Sequence, residues 1–225
     1  MPWPFDGVFT PLSDSAVEII EPKGPHTYRL HVMDLGALKL NSGRLLACDP
    51  FVTLPDGVVI ELEPGTYPVR VTMADVSEAQ DGSHLREAYL SLVLTDAATS
   101  SFVPLVPTGK EPPKVGEFYG VSVDAGAVAF VDELSARTLM PPGDWYNEIF
   151  DSGRPDSWFA QMDAGSPLPT GCANITLPLA RDGENVVISH SGWGDGFYPV
   201  VGAYDNRRRL TGVHIDLQVV GDFRE

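Results

Sequence analysis

The chain has 225 residues, 43% of them hydrophobic, which is enough for one sizeable core, and we read residues 1–225 as a single domain. A formal net charge of −16 with no basic stripe excludes nucleic-acid binding through phosphates, because nothing is there to neutralise them. With 20 prolines and 22 glycines, the composition predicts many turns and few helices.

From the N-terminus, Met1-Pro-Trp-Pro-Phe-Asp lacks the basic start and apolar stretch of a secretory signal. No later apolar run approaches the ~20 residues of a membrane span, so we expect a soluble, cytoplasmic protein with no membrane partner. Cys48 and Cys172, the only cysteines, show no metal spacing and are expected to be free thiols in a reducing compartment; no metal or cofactor is expected. Strand patterns begin at 27–32, 44–47 and 58–62. They continue at 66–73, where Tyr67, Val69, Val71 and Met73 alternate onto one face, and at 86–94, where Ala88, Leu90, Leu92 and Leu94 do the same. Further strands are predicted at 117–123, 127–131, 185–190, 197–204 and 210–220. Pro55-Asp-Gly, Glu63-Pro-Gly, Asp81-Gly and Asp182-Gly punctuate them as turns. Proline-rich loops are read at 106–115 and 166–171. Between 134 and 162 the period turns helical. Trp145, Ile149 and Phe150 share one face and Trp158, Phe159 and Met162 another, predicting two short helices between Pro142 and Met162. The fold class expected is mainly β: an antiparallel sandwich or open barrel with two short helices on one side.

The block Ser191-Gly-Trp-Gly-Asp-Gly is where we expect a site. Three glycines around a tryptophan and an aspartate suit a shaped loop more than a solvated turn. If 185–190, 197–204 and 210–220 formed a meander, His190 would face Phe197, Pro199 would face Asp216 and Val201 would face His214. Tyr198, Val200, Gly202, Tyr204, Val213, Ile215, Leu217 and Val219 would then form the core face. His190, Phe197, Pro199, Val201, His214 and Asp216 would lie opposite. A His–Asp pair can act as general base and orienter, so His190, Asp195 and Asp216 are candidate catalytic residues. Trp193, Gly194, Gly196, Asp124 and His214 are candidate ligand-binding residues. Ordinary alternatives stand beside these readings. His190 could be a core histidine beside Ile188, Trp193 a plug for the core end, Asp195 a cap for its own loop and Asp124 a turn residue before Gly126. Ser189 and Ser191 flank His190 without a Gly-x-Ser-x-Gly elbow, which argues against a serine hydrolase.

Ser42-Gly-Arg-Leu-Leu-Ala-Cys-Asp-Pro, Glu63-Pro-Gly-Thr-Tyr-Pro-Val, Val123-Asp-Ala-Gly with Asp132, and the Ser191 block, in that order, resemble domain-of-unknown-function family 4241. The resemblance implies a soluble bacterial protein of unassigned activity. Charge and the lack of a complete catalytic signature lead us to expect a binding or interaction protein, an acidic inhibitor or immunity-type partner of a basic protein. The alternative is a small-molecule hydrolase or lyase using His190, Asp195 and Asp216.

Overall fold

The computed structural model describes residues 9–21, 24–114 and 116–221. The N-terminal stretch Met1-Pro-Trp-Pro-Phe-Asp and the end of the loop at 106–115 therefore lie partly or wholly outside the described residues. Among the described residues the fold is mainly β, with two antiparallel sheets and three short helical segments. The large sheet runs β1 (Ala16–Glu21), β2 (Gly24–Leu40), β5 (Gly65–Asp75), β6 (Leu85–Val93), β13 (Leu210–Asp216), β12 (Gly196–Tyr204) and β7 (Ser101–Pro104). Its eighth strand, β8 (Gly120–Val123), pairs with the start of β12. The small sheet runs β10 (Cys172–Thr176), β11 (Asn185–His190), β9 (Ala127–Asp132), β3 (Arg44–Cys48) and β4 (Val58–Glu61). Among the described residues no helix is long and apolar enough to cross a membrane.

Alternation makes the small sheet a middle layer. Along β9, Val128 and Phe130 enter the core shared with the large sheet, while Ala127, Ala129 and Val131 enter a second core. Leu45 and Ala47 of β3 divide from Leu46 and Cys48 in the same way, as does Val187 of β11 from Val186 and Ile188. The second core is roofed by α1 (Glu133–Thr138), a π-helical turn (Tyr146–Phe150) and α2 (Trp158–Asp163). Trp158, Met162 and Phe150 are the roof's buried anchors, and side chains of this size contribute roughly 1.5–3 kcal/mol each when fully buried. α1 starts on Asp132, whose side chain accepts from Ser135 N, and α2 on Ser157, which accepts from Ala160 N. Two of the three helical segments fall between Pro142 and Met162 as the period predicts; α1 lies just before them.

The short strands β1, β7 and β10 have weak patterns and were not expected. Each is an edge strand, held by its partner rather than by its own alternation. The β12–β13 register places Val201 opposite His214 as the sequence predicts, and Tyr198, Val200, Val213, Ile215, Leu217 and Val219 are buried on the core face. The expected meander needs one correction. β11 and β12 belong to different sheets: His190 pairs with Ala127 of β9, and Phe197 pairs with Ser122 of β8. The glycine block is therefore the crossover between the sheets, not a hairpin.

Candidate functional site

The crossover is tied down by its own backbone. Ser191 N donates to Gly126 O (2.9 Å), and Gly194 O accepts from both Ser191 Oγ (2.6 Å) and Tyr198 Oη (2.8 Å). Gly126 N donates to Asp195 Oδ1 (3.2 Å), so the exposed Asp195 caps the turn at 124–126. That turn is held from below by Asp49, whose Oδ2 accepts from Asp124 N and Ala125 N at 2.9 Å each. Asp124, Gly194, Asp195 and Gly196 thus meet at one end of the molecule. Gly192 sets the path, because it adopts φ +71° and a Cβ there would fall 2.6 Å from Glu87 O. Trp193 then lies with its ring 5.4 Å from the Arg86 guanidinium and edge-on to His84 at 6.5 Å.

Beside this loop the structure forms a pair that the sequence reading missed. Gly171 has φ +88°. A Cβ on it would stand 2.5 Å from His190 Nδ1 and 3.0 Å from Glu87 Oε1, so the two groups face each other across the missing side chain. Glu87 reaches this point through a β-bulge. It pairs with Met73, Tyr89 pairs with Thr72, and Ala88 is left over between them. Paired residues point to one face, so Glu87 turns inward with Met73 while Tyr89 and Ser91 point outward. Simple alternation along 86–94 would have left Glu87 on the outer face. Its place as a lone carboxylate before an apolar run was the only signal.

The chemistry of the pair is that of a buried acid beside an accessible base. Glu87 is 6% exposed and its pKa is raised by burial, against the pull of its own backbone N–H and of the His190 and Arg86 charges. His190 is exposed. A carboxylate behind an exposed imidazole can orient it and stabilise its cation during proton transfer. Both cysteines are free and buried. Desolvation, helped by the Glu87 charge, pushes Cys172 up to about 12, so it stays a thiol and is no nucleophile. Cys48 is raised as well, mainly by burial. Among the described residues no three histidines, cysteines and carboxylates converge as a metal site.

His214 and Asp216 lie elsewhere, and this corrects the expected shared face. They sit on the outer face of the large sheet and not with His190, and that face is itself covered. Leu12 N donates to Thr72 Oγ1 and Thr10 N to Tyr89 Oη, laying residues 9–12 across it. The Phe9 ring packs edge-on against His214, Tyr89 and Phe102. His214 is 1% exposed and Asp216 6%. Burial lowers His214 to about 3 and raises Asp216 to about 7, the latter against a hydrogen bond from Gln218 N. His214 Nδ1 is bonded to Ser91 Oγ at 2.9 Å.

No curated protein and no solved structure matches the chain. A family model described as "Protein of unknown function (DUF4241)" matches residues 38–215, a span that holds β3 to β12, the turn at 124–126, the crossover loop, Glu87 and His190. The order of the four sequence blocks and the match over most of the chain agree: this chain belongs to the DUF4241 family.

Proposed function

We propose that the protein is a binding module of the bacterial cytoplasm, an acidic inhibitor or immunity-type partner of a basic protein. The observation that carries this reading is the helical roof. Asp144, Glu148, Asp151, Asp156 and Asp163 are all exposed there, and Arg154 is the only basic residue between 141 and 171. Arg154 is already paired with Asp156 at 3.0 Å. Among these charges stand aromatics: the partly buried Phe51 stacked on the partly buried Phe159 at 4.3 Å, with Tyr146, 52% exposed, edge-on to Phe159. Aromatic anchors inside a charged rim are the anatomy of a protein interface, and the sign of the rim selects a basic partner and speeds its association.

A photo-crosslinking benzoylphenylalanine at position 146 tests this. It is expected to capture one protein richer in Lys and Arg than in Asp and Glu. The combined Asp144→Lys and Glu148→Lys change should weaken capture at least about tenfold. The same photoprobe at Val103, exposed on the edge strand β7, should not capture it. Equal capture from both positions, an acidic captured protein, or capture that survives charge reversal would each sink the reading.

The Glu87–His190 pair supports a second reading, a small-molecule hydrolase or lyase with His190 as general base and Glu87 behind it, in the orienting role first given to Asp216. Turnover of an ester or a carbon–oxygen lyase substrate should then fall roughly 100-fold or more in His190→Ala and in Glu87→Gln. The unfolding midpoint of His190→Ala should stay unchanged, because the side chain is exposed. Turnover that persists in His190→Ala, or none with either substrate type, removes this reading.

A further inference from the structure

We propose that the outer face of the large sheet carries a separate site for a small zwitterion, a molecule bearing one carboxylate and one ammonium as a free α-amino acid does. It lies away from the helical roof, so it stands or falls independently of the interaction surface.

The floor is a cross-strand row. Arg70 of β5 pairs with Ser91 of β6, and Ser91 with His214 of β13. Directly opposed side chains share a face at ~5 Å spacing, so a guanidinium, a hydroxyl and an imidazole stand side by side. Two residues before His214, Gly212 has no side chain to cover the ring edge. A Cβ there would sit 3.0 Å from His214 Nε2. The space left open is a cavity of about 250 Å³, lined by Leu12, Thr95, Asp96, Thr99 and Thr211 as well as by Arg70, Gly212 and His214. That is just below the ~300 Å³ at which drug-sized sites begin, which limits the occupant to a small metabolite.

Hydrogen-bond accounting sets the polarity of the floor. Ser91 is fully buried, and its hydroxyl meets only His214 Nδ1 among the described residues. The hydroxyl hydrogen therefore points at Nδ1, since a buried O–H without an acceptor costs ~1–3 kcal/mol. Burial keeps the imidazole neutral, so its one proton is on Nε2. Nε2–H is then a donor at the cavity floor, and the described residues offer it no acceptor. Arg70 is likewise without an ion pair among the described residues. Two donors, one of them cationic, suit a carboxylate. Asp96, exposed on the rim, supplies the single anion that an adjacent ammonium needs. Opposite charges facing one small cavity distinguish a zwitterion from a simple anion.

The test titrates the full chain with glycine, L-alanine, L-serine and L-aspartate, and separately with acetate and with ethylamine. Calorimetry and the ¹⁵N resonances of the His214 ring are the readouts. At least one amino acid should bind with a Kd of about 1 mM or tighter and shift the Nε2–H signal, with acetate and ethylamine each about tenfold weaker or more. Arg70→Ala should weaken binding at least about tenfold, and Gly212→Ala, whose methyl presses on Nε2, should abolish it. Asp96→Asn, in an exposed loop, should erase the preference for the amino acid over acetate, while Arg181→Ala, on the exposed β10–β11 hairpin, should leave binding as it was. The proposal is overturned if no amino acid binds with a Kd of about 1 mM or tighter, if acetate binds as tightly, or if binding survives either Arg70→Ala or Gly212→Ala.

Discussion

Asp216→Asn should stabilise the protein by about 4 kcal/mol at pH 8 and leave its stability unchanged near pH 3. Burial raises the Asp216 carboxyl from 3.8 to about 7 in the folded protein. Between those values the unfolded chain has released the proton and the folded chain still holds it. The folded state then binds more protons, so stability falls as pH rises through this window, by about 1.4 kcal/mol per pH unit. Above pH 7 the full penalty is present; below 3.8 there is none. Asparagine removes the charge and keeps an oxygen that can accept from Gln218 N, as Asp216 Oδ1 does at 2.9 Å. His214 acts with the opposite sign. Its pKa falls from 6.5 to about 3, so the unfolded chain binds the extra proton and stability is lost as pH drops below 6.5. In the wild type the two slopes offset each other between roughly pH 4 and 6.5. In the variant only the histidine slope remains, and stability should climb by several kcal/mol from about pH 3 to 6.5. Denaturant midpoints across this range are the measurement. An equal gain at pH 4 and pH 8, or a loss at pH 8, would show that Asp216 is ionised in the fold.

Asp49→Ala is expected to cost on the order of 4 kcal/mol, roughly 10 °C in midpoint for a chain of this size. Asp49 is fully buried and serves three backbone donors: Phe51 N at 3.0 Å on Oδ1, and Asp124 N and Ala125 N at 2.9 Å on Oδ2. Alanine leaves those N–H groups without acceptors at the end of β3. Hydrogen bonds to a charged acceptor contribute ~1.5–3 kcal/mol each and are not additive. Asp49→Asn retains one acceptor oxygen but turns an amide NH₂ toward N–H donors, so it should recover less than half of the loss. Hydrogen exchange should speed up at Asp124, Ala125 and Gly126, and at Ser191, whose N–H is bonded to Gly126 O. A loss under about 1 kcal/mol, or unchanged protection at 124–126, would mean that water replaces the carboxylate. The same substitution should loosen the loop that carries Trp193 and Asp195, linking a buried stability residue to the candidate site.

What the sequence by itself determined was local. Period-2 runs placed β5, β6, β9, β11 and β12 nearly at their observed bounds, because alternation records which face each strand buries, whereas the run at 210–220 overshoots β13, which ends at Asp216. Counting outward from the turn after β12 also predicted Val201 opposite His214, and that pair is observed although a one-residue bulge between Ala203 and Tyr204 shifts the pairing next to the turn. The aromatic spacing from Trp145 to Met162 marked the helical roof. The glycines of the Ser191 block marked a loop that must pass close to other backbone, as Gly192 does to Glu87 O. Only the tertiary structure decided the rest. Alternation gives a strand a buried face but no partner, so it could not tell that β11 and β12 lie in different sheets. Nor has a one-residue bulge a composition of its own: Ala88 looks like any core alanine, yet the register shift there turns Glu87 from the outer face toward His190. In sequence, His214 and Asp216 fall on the face opposite the core, and nothing near them along the chain covers them. The cover is residues 9–12, about 200 positions away along the chain. Burial, and with it the direction in which each of these groups titrates, is set by such distant contacts and not by any local pattern.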